Sequence, residues 1–292
     1  MVKAVKLLGL AVLLALAGVN ITACGGGDGD STTLSRSESV FAVSGQPRLI
    51  VDTFNGRIEI TGSDAGEVRV EAEFRNSERV NYQAAQEGNT VRVTAEKGDD
   101  DSFWGWLPWR GDDAGANIRV IAPREAVLEG RSSNGSIRVD NIAGSGSLHT
   151  SNSGIAASSM DGIFSLSTSN GEITLREADG DFRLKSSNGN ITVASARGEF
   201  DLDTSNGSIR FEGDLTLGSD NRFESSNGNI TAALTGEPPN VRVQASTSNG
   251  DIVLSRPVPV VGNTDGDRIS GVIGEGSASL TMDTSNGTIR IE

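Results

Sequence analysis

Arg183 and Asp201 lie 18 residues apart, and so do Lys185 and Asp203. Carboxylates set beside Arg or Lys on neighbouring turns of a repeat are what a polysaccharide lyase or hydrolase would use, one group as acid and another as base. Here, however, each Asp faces an opposite charge, which reads as a structural ladder rather than a poised pair. His149 is the only histidine, in an outward column with Ser167 and Lys185. The acidic flanks Asp99 to Asp101 and Asp112-Asp113 carry oxygen ligands of the kind Ca²⁺ takes, but without the spacing of an EF-hand or a nonapeptide Ca²⁺ repeat. Arg110-Gly111-Asp112 spells an integrin-binding tripeptide, too short a match to carry weight. Phosphate-loop and zinc spacings are missing from the sequence. A non-enzymatic protein without metal or cofactor is expected, with a carbohydrate-active β-helix (polysaccharide lyase or hydrolase) as the alternative.

Two further features point to contacts rather than catalysis. The only cysteine, Cys24, follows Lys3, Lys6, an apolar run from Leu7 to Val19, and Ile21-Thr22-Ala23. A short basic region, an apolar region of that length and a small-residue site make a secretory signal, too short to span a membrane. The Ile-Thr-Ala-Cys ending resembles the lipobox of bacterial lipoproteins. That resemblance implies a lipid on Cys24 and, since Gly25 rather than Asp follows, outer-membrane sorting in a Gram-negative cell. All three tryptophans, Trp104, Trp106 and Trp109, stand in DDDSFWGWLPWRGDD. Clustered aromatics among charges suit a partner contact, protein or glycan; they equally suit a plug that folds back over the end of the fold. With 39 acidic against 25 basic residues the net charge is −14, which argues against a nucleic-acid partner.

The elements that must position these groups come from an 18-residue repeat between Leu128 and Phe211. Its anchor asparagines are Asn134, Asn152, Asn170, Asn188 and Asn206, continued at Asn227, Asn249 and Asn286. Counting from the anchor, apolar residues recur at minus six (Phe164, Phe182, Phe200), minus four (Leu148, Leu166, Leu184, Leu202), plus three (always Ile) and plus five. Ser or Thr holds minus two, and Gly holds plus ten at Gly144, Gly162, Gly180 and Gly198. Alternation on both sides of the Asn-Gly gives two short strands per repeat, each with one buried face. The two glycine positions are expected to supply positive-φ turns.

An antiparallel meander with Asn-Gly hairpins satisfies this pattern. So does a parallel β-solenoid whose equivalent residues stack about 4.8 Å apart. Parity favours the solenoid: minus six, minus four, minus two and zero share one parity, so the asparagines are expected to point inward and bond from coil to coil as a structural ladder. The expected architecture is all-β, a parallel β-solenoid of 18-residue coils with an irregular N-terminal capping region. Residues 1–23 read as signal, 24–39 as a flexible tether and 40–292 as the solenoid, divided into a cap (40–127, with the Trp-rich insertion 97–115) and the repeats (128–292). Within the repeats, Pro257 and Pro259 interrupt, and Gly262 to Gly276 is expected to loop out.

The front turn Asn55-Gly56-Arg57-Ile58, the approach "IAPREAVLE" and the ending "GVIGEGSASLTMDTSNGTIRI" together resemble the putative-adhesin family of β-strand-repeat proteins, a domain of unknown function related to autotransporter-adhesin-like head domains. The resemblance covers about Phe41 to Glu292. It implies a β-helical, envelope-associated domain and, resting on a repeat rather than a catalytic signature, says little about activity.

Overall fold

The computed structural model describes residues 35–98, 114–236, 239–255 and 263–292. In chain order the strands are β1 Ser35–Ala42, β2 Arg48–Thr53, β3 Ile58–Ser63, β4 Glu67–Arg75, β5 Val80–Glu87, β6 Thr90–Lys97, β7 Gly115–Pro123 and β8 Glu125–Ser132. Four strands of 14 residues follow: β9 Ile137–Thr150, β10 Ile155–Thr168, β11 Ile173–Ser186 and β12 Ile191–Thr204. The chain ends with β13 Ile209–Leu215, β14 Asp220–Ser225, β15 Ile230–Leu234, β16 Val241–Asn249, β17 Ile252–Leu254, β18 Asn263–Asp265, β19 Arg268–Ile273, β20 Ala278–Asn286 and β21 Ile289–Ile291.

The repeats are coils of a parallel solenoid. In β10 and β11, Ile155 pairs with Ile173, Gly162 with Gly180 and Leu166 with Leu184; in β11 and β12 the same 18-residue offset pairs Ile173 with Ile191 and Phe182 with Phe200. An antiparallel meander cannot produce that register, because hairpin partners would be a few residues apart. Each coil has two faces, and the interior is a single file of side chains from each position. Leu166, Leu184 and Leu202 form one file and the plus-three isoleucines another, all at most 1% exposed except Ile252 in the outer coil, which is half-buried. Phe164, Phe182 and Phe200 form a third, with ring centroids 6.0 and 5.8 Å apart and nearly parallel.

Both ends interleave the chain. The coil of β2 and β3 lies between β6/β7 and β8/β9. The coil of β20 and β21, last in sequence, lies between β14/β15 and β16/β17. Antiparallel strands then cover much of the outermost coils: β5 on β6, β4 on β7 with β1 beyond it, and β19 on β16 with β18 beyond it. An uncovered parallel edge would template aggregation, and these strands blunt it.

Two boundaries differ from those read in the sequence. β1 starts at Ser35, inside the expected tether, because Ser37 and Phe41 find buried places against β4. The stretch expected to loop out before Gly276 instead contains β18 and β19, since Ile269 and Ile273 are buried against β16.

Candidate functional site

The repeat's conserved polar groups gather at one corner of the coil, the Ser-Asn-Gly bend. Its buried member is the hydroxyl at minus two. Ser132, Thr150, Thr168, Ser186, Thr204, Ser225, Thr247 and Thr284 are all buried. Thr150 donates to the Gly135 carbonyl (2.8 Å), Ser186 to Gly171 (3.0 Å), Thr204 to Gly189 (2.8 Å) and Thr284 to Gly228 (2.9 Å). Within a coil the same oxygen accepts the anchor glycine N–H, as for Gly135 on Ser132 (2.8 Å) and Gly189 on Ser186 (2.9 Å). One hydroxyl thus closes its own bend and ties it to the coil beneath, which satisfies polar backbone that no water reaches.

The asparagines do not point inward as expected. All eight of Asn134, Asn152, Asn170, Asn188, Asn206, Asn227, Asn249 and Asn286 are exposed. Alternation of faces holds only within a strand. The bend at minus one to plus one breaks it, so the inward positions run minus two, plus one, plus three, and the anchor is left on the outside. The side chains nevertheless touch. Each donates its Nδ2 to the Oδ1 of the asparagine beneath: Asn152 to Asn134 (2.7 Å), Asn170 to Asn152 (3.0 Å), Asn188 to Asn170 (2.9 Å) and Asn206 to Asn188 (3.0 Å). The file continues with Asn227 to Asn206, Asn286 to Asn227 and Asn249 to Asn286, following the stack rather than the sequence. The second Nδ2 hydrogen reaches the Ser carbonyl beneath, as from Asn188 to Ser169 (3.2 Å).

The glycine reading also changes. The anchor glycines of the repeats, among them Gly135, Gly171, Gly189 and Gly207, have no positive φ. They are glycine because successive coils approach too closely for a Cβ: one on Gly189 would sit 1.7 Å from the Gly171 carbonyl oxygen. Positive φ occurs instead at the opposite corner, at the plus-ten glycines and, unanticipated in the sequence, at Asn141, Ser159, Glu177 and Ser195. Ser159, Glu177 and Ser195 edge an outward groove with Asp161, Asp179 and Arg197. Ser159 donates to Glu177 across it (2.9 Å). Their fixed offset of seven from the anchor was the available signal, but their residue types vary.

The groups that could have formed a catalytic pair are paired off. Arg183 meets Asp201 at 3.3 Å and Lys185 meets Asp203 at 2.7 Å, in exposed ion pairs one coil apart. His149 Nδ1 lies 2.9 Å from Ser167 Oγ in the same kind of outward column. Near the N-terminal end, Glu59 accepts from both Arg57 (3.1 Å) and Arg119 (3.1 Å). Burial opposes ionisation of that carboxyl, but the two guanidinium hydrogen bonds outweigh it and hold Glu59 below the usual carboxylate range. Tyr82 packs edge-on to Phe74 with its hydroxyl unpartnered among the described residues, and burial pushes its phenol up to about 12. Among the described residues no three His, Cys, Asp or Glu converge as a metal site. Cys24, Trp104, Trp106 and Trp109 lie outside the described residues, as do Asp99 to Asp101 and Arg110 to Asp113.

Residues 48–292 match the family described as Toastrack DUF4097. The chain belongs to that family. The toastrack match and the resemblance carried by the repeats agree, and both rest on the coil rather than on any reactive group. No curated protein matches the sequence. Solved structures with a distant likeness to this toastrack chain include a "putative adhesin" of Parabacteroides distasonis (11% identity, TM-score 0.43, covering 87% of this chain and 96% of that one). Others are a "putative adhesin" of Bacteroides fragilis (13%, 0.27, 88% and 97%) and a "putative cell adhesion protein" of Clostridium sporogenes (9%, 0.27, 88% and 98%).

The toastrack's amide file makes a specific demand. Asn188→Asp would keep the bond accepted from Asn206 but set a carboxylate oxygen against Asn170 Oδ1 and lose the side-chain bond to the Ser169 carbonyl, which keeps the Asn188 backbone N–H. A loss of about 1 kcal/mol is expected, as for one exposed hydrogen bond exchanged for water plus a like-polarity contact, read as a lower urea midpoint. Asn190→Asp is the control, because among the described residues the Asn190 side chain uses only its Oδ1, as acceptor from the Ser208 N–H (2.8 Å). Equal midpoints for the two variants would mean that the file contributes nothing.

Proposed function

We propose that the chain is a non-enzymatic module of the bacterial cell envelope, anchored by a lipid on Cys24 and presenting its β-repeat surface to a protein or glycan partner. The observation that carries this reading is the disposition of its polar groups. The interior is filled by apolar side chains and by hydroxyls that close bends, while the outward Arg183, Lys185, Asp201 and Asp203 are used on one another. What such a surface offers is repetition: amides, hydroxyls and ion pairs recurring at the coil spacing on a rigid rod, which suits recognition along an extended ligand. Paired opposite charges do not supply the separated acid and base that hydrolysis of a sugar chain requires.

The anchor is supported by the signal, apolar run and Cys24 in sequence, and the outer membrane is the expected destination in a Gram-negative cell. Cys24→Ser is expected to move the protein from the detergent phase to the aqueous phase, with loss of labelled palmitate; a wild-type chain that never takes up the label would overturn the anchor. Trp104, Trp106 and Trp109 are assigned to the partner contact. Changing all three to Ser is expected to leave the melting temperature nearly unchanged while abolishing binding to envelope fractions. A large fall in melting temperature would instead make them a structural plug.

A further inference from the structure

Seven of the eight file asparagines are followed by glycine, Asn152 by Ser. An Asn-Gly step is chemically fragile, because glycine leaves its amide nitrogen unshielded and free to turn toward the preceding side chain. As it gives up its proton, the Gly nitrogen attacks Asn Cγ. The new N–Cγ bond forms, the Cγ–Nδ2 bond breaks and ammonia leaves with a proton from the medium. Water then opens the five-membered imide at either carbonyl, giving aspartate or isoaspartate. A chain with so many such steps survives only if the fold keeps the two reacting atoms apart.

Inside the stack it does. Asn188 has both Nδ2 hydrogens directed to the coil beneath and its Oδ1 held by Asn206, so its Cγ cannot swing toward Gly189. The Gly189 N–H is itself bound by Ser186 Oγ at 2.9 Å. The next coil also covers the bend: Gly56, Gly135, Gly171, Gly189, Gly207, Gly228 and Gly287 are all buried or half-buried. Asn249 is different. Among the described residues its coil is outermost and the file ends there: it donates to Asn286 Oδ1 (3.0 Å) and, at 3.5 Å, to the Ser285 carbonyl, but nothing donates to its own Oδ1. Gly250 alone among these anchor glycines is exposed. Strand β19 pairs with β16 as far as Ser246, the Thr247 N–H reaches the Asp267 carbonyl, and the bend lies beyond.

We propose that Asn249-Gly250 is the modification site of this fold, where the native protein deamidates while the rest of the file is protected. The product places a carboxylate against Asn286 Oδ1 and opens the last rung. This inference is independent of the binding role and rests on the geometry of the file alone. The test is to hold the full-length protein, purified in detergent, in mildly alkaline buffer with and without denaturing urea, and to follow each Asn by peptide mass mapping with isoaspartate detection. In the native arm Asn249 is expected to convert on the order of a hundredfold faster than Asn170, Asn188 or Asn206, the penalty for holding reacting atoms out of line. In urea the four are expected to convert at comparable rates. A native Asn249 that converts no faster than Asn188 overturns the proposal. So does a preference for Asn249 that persists undiminished in urea, since local sequence rather than the fold would then explain it.

Discussion

Gly189→Ala is expected to cost more than about 4 kcal/mol, the range that marks a clash with no room to relax. The added methyl would meet the Gly171 carbonyl oxygen at 1.7 Å, its carbon at 2.3 Å and the Glu172 nitrogen at 2.8 Å. All three are backbone atoms, and no flexible side chain can move aside. The spacing at that bend is fixed from both sides, by Asn188 N–H on the Ser169 carbonyl (3.0 Å) and Ile173 N–H on the Asn190 carbonyl (2.9 Å). The coils can separate only by giving up those bonds and the Ser186 contact to the Gly171 carbonyl. Gly66→Ala is the control: nothing lies within 4 Å of its Cβ position and its φ is not positive, so a change within about 0.5 kcal/mol is expected. Urea unfolding of the two variants beside wild type reads the difference. If they unfold together, the close approach of the coils is not what selects glycine.

Phe200→Ala is the second large effect, about 3–5 kcal/mol. The ring is fully buried, 5.8 Å from Phe182 at an interplanar angle of 11° and 5.0 Å from Phe211 at 60°. A globular core can shrink around a lost ring. A solenoid is less able to, because Phe200 lies on a strand hydrogen-bonded to coils on either side, which holds the backbone at strand spacing and leaves the cavity open. Phe200→Leu is expected to lose under about 1.5 kcal/mol, since most of the volume is kept. A Phe200→Ala chain whose midpoint falls no further than that of Phe200→Leu would show that the coils close over the gap.

Both predictions concern positions that the sequence marks clearly. The 18-residue offset, the isoleucine at plus three and the Phe and Leu columns define coils, and the ion pairs Arg183–Asp201 and Lys185–Asp203 could be written down before any coordinates, because a parallel stack places equivalent residues side by side. Even the contact of Asn188 with Asn170 follows from the offset alone. The direction of that side chain does not. Parity extrapolated through the bend puts Asn188 inside; the bend turns three residues through one corner, so Ser186 and Gly189 take the inner places. The anchor glycines likewise look like turn residues, and only the distance between coils shows that the space for a Cβ is what they lack.

The ends were the least legible part. That β20 and β21 slide between β14/β15 and β16/β17, so that the asparagine file passes from Asn227 to Asn286 and only then to Asn249, cannot be read from order along the chain. The coils at this end all carry the same Ser-Asn-Gly anchor, at Asn227, Asn249 and Asn286, so the local pattern fits any neighbour. The sequence by itself therefore determined what each coil is and which columns face one another. The tertiary structure decided which coil comes last in space, because that depends on how β16, β19 and β20 share hydrogen bonds and burial at the end of the stack. In deciding it, the fold left Asn249 as the one file asparagine with no coil above it among the described residues.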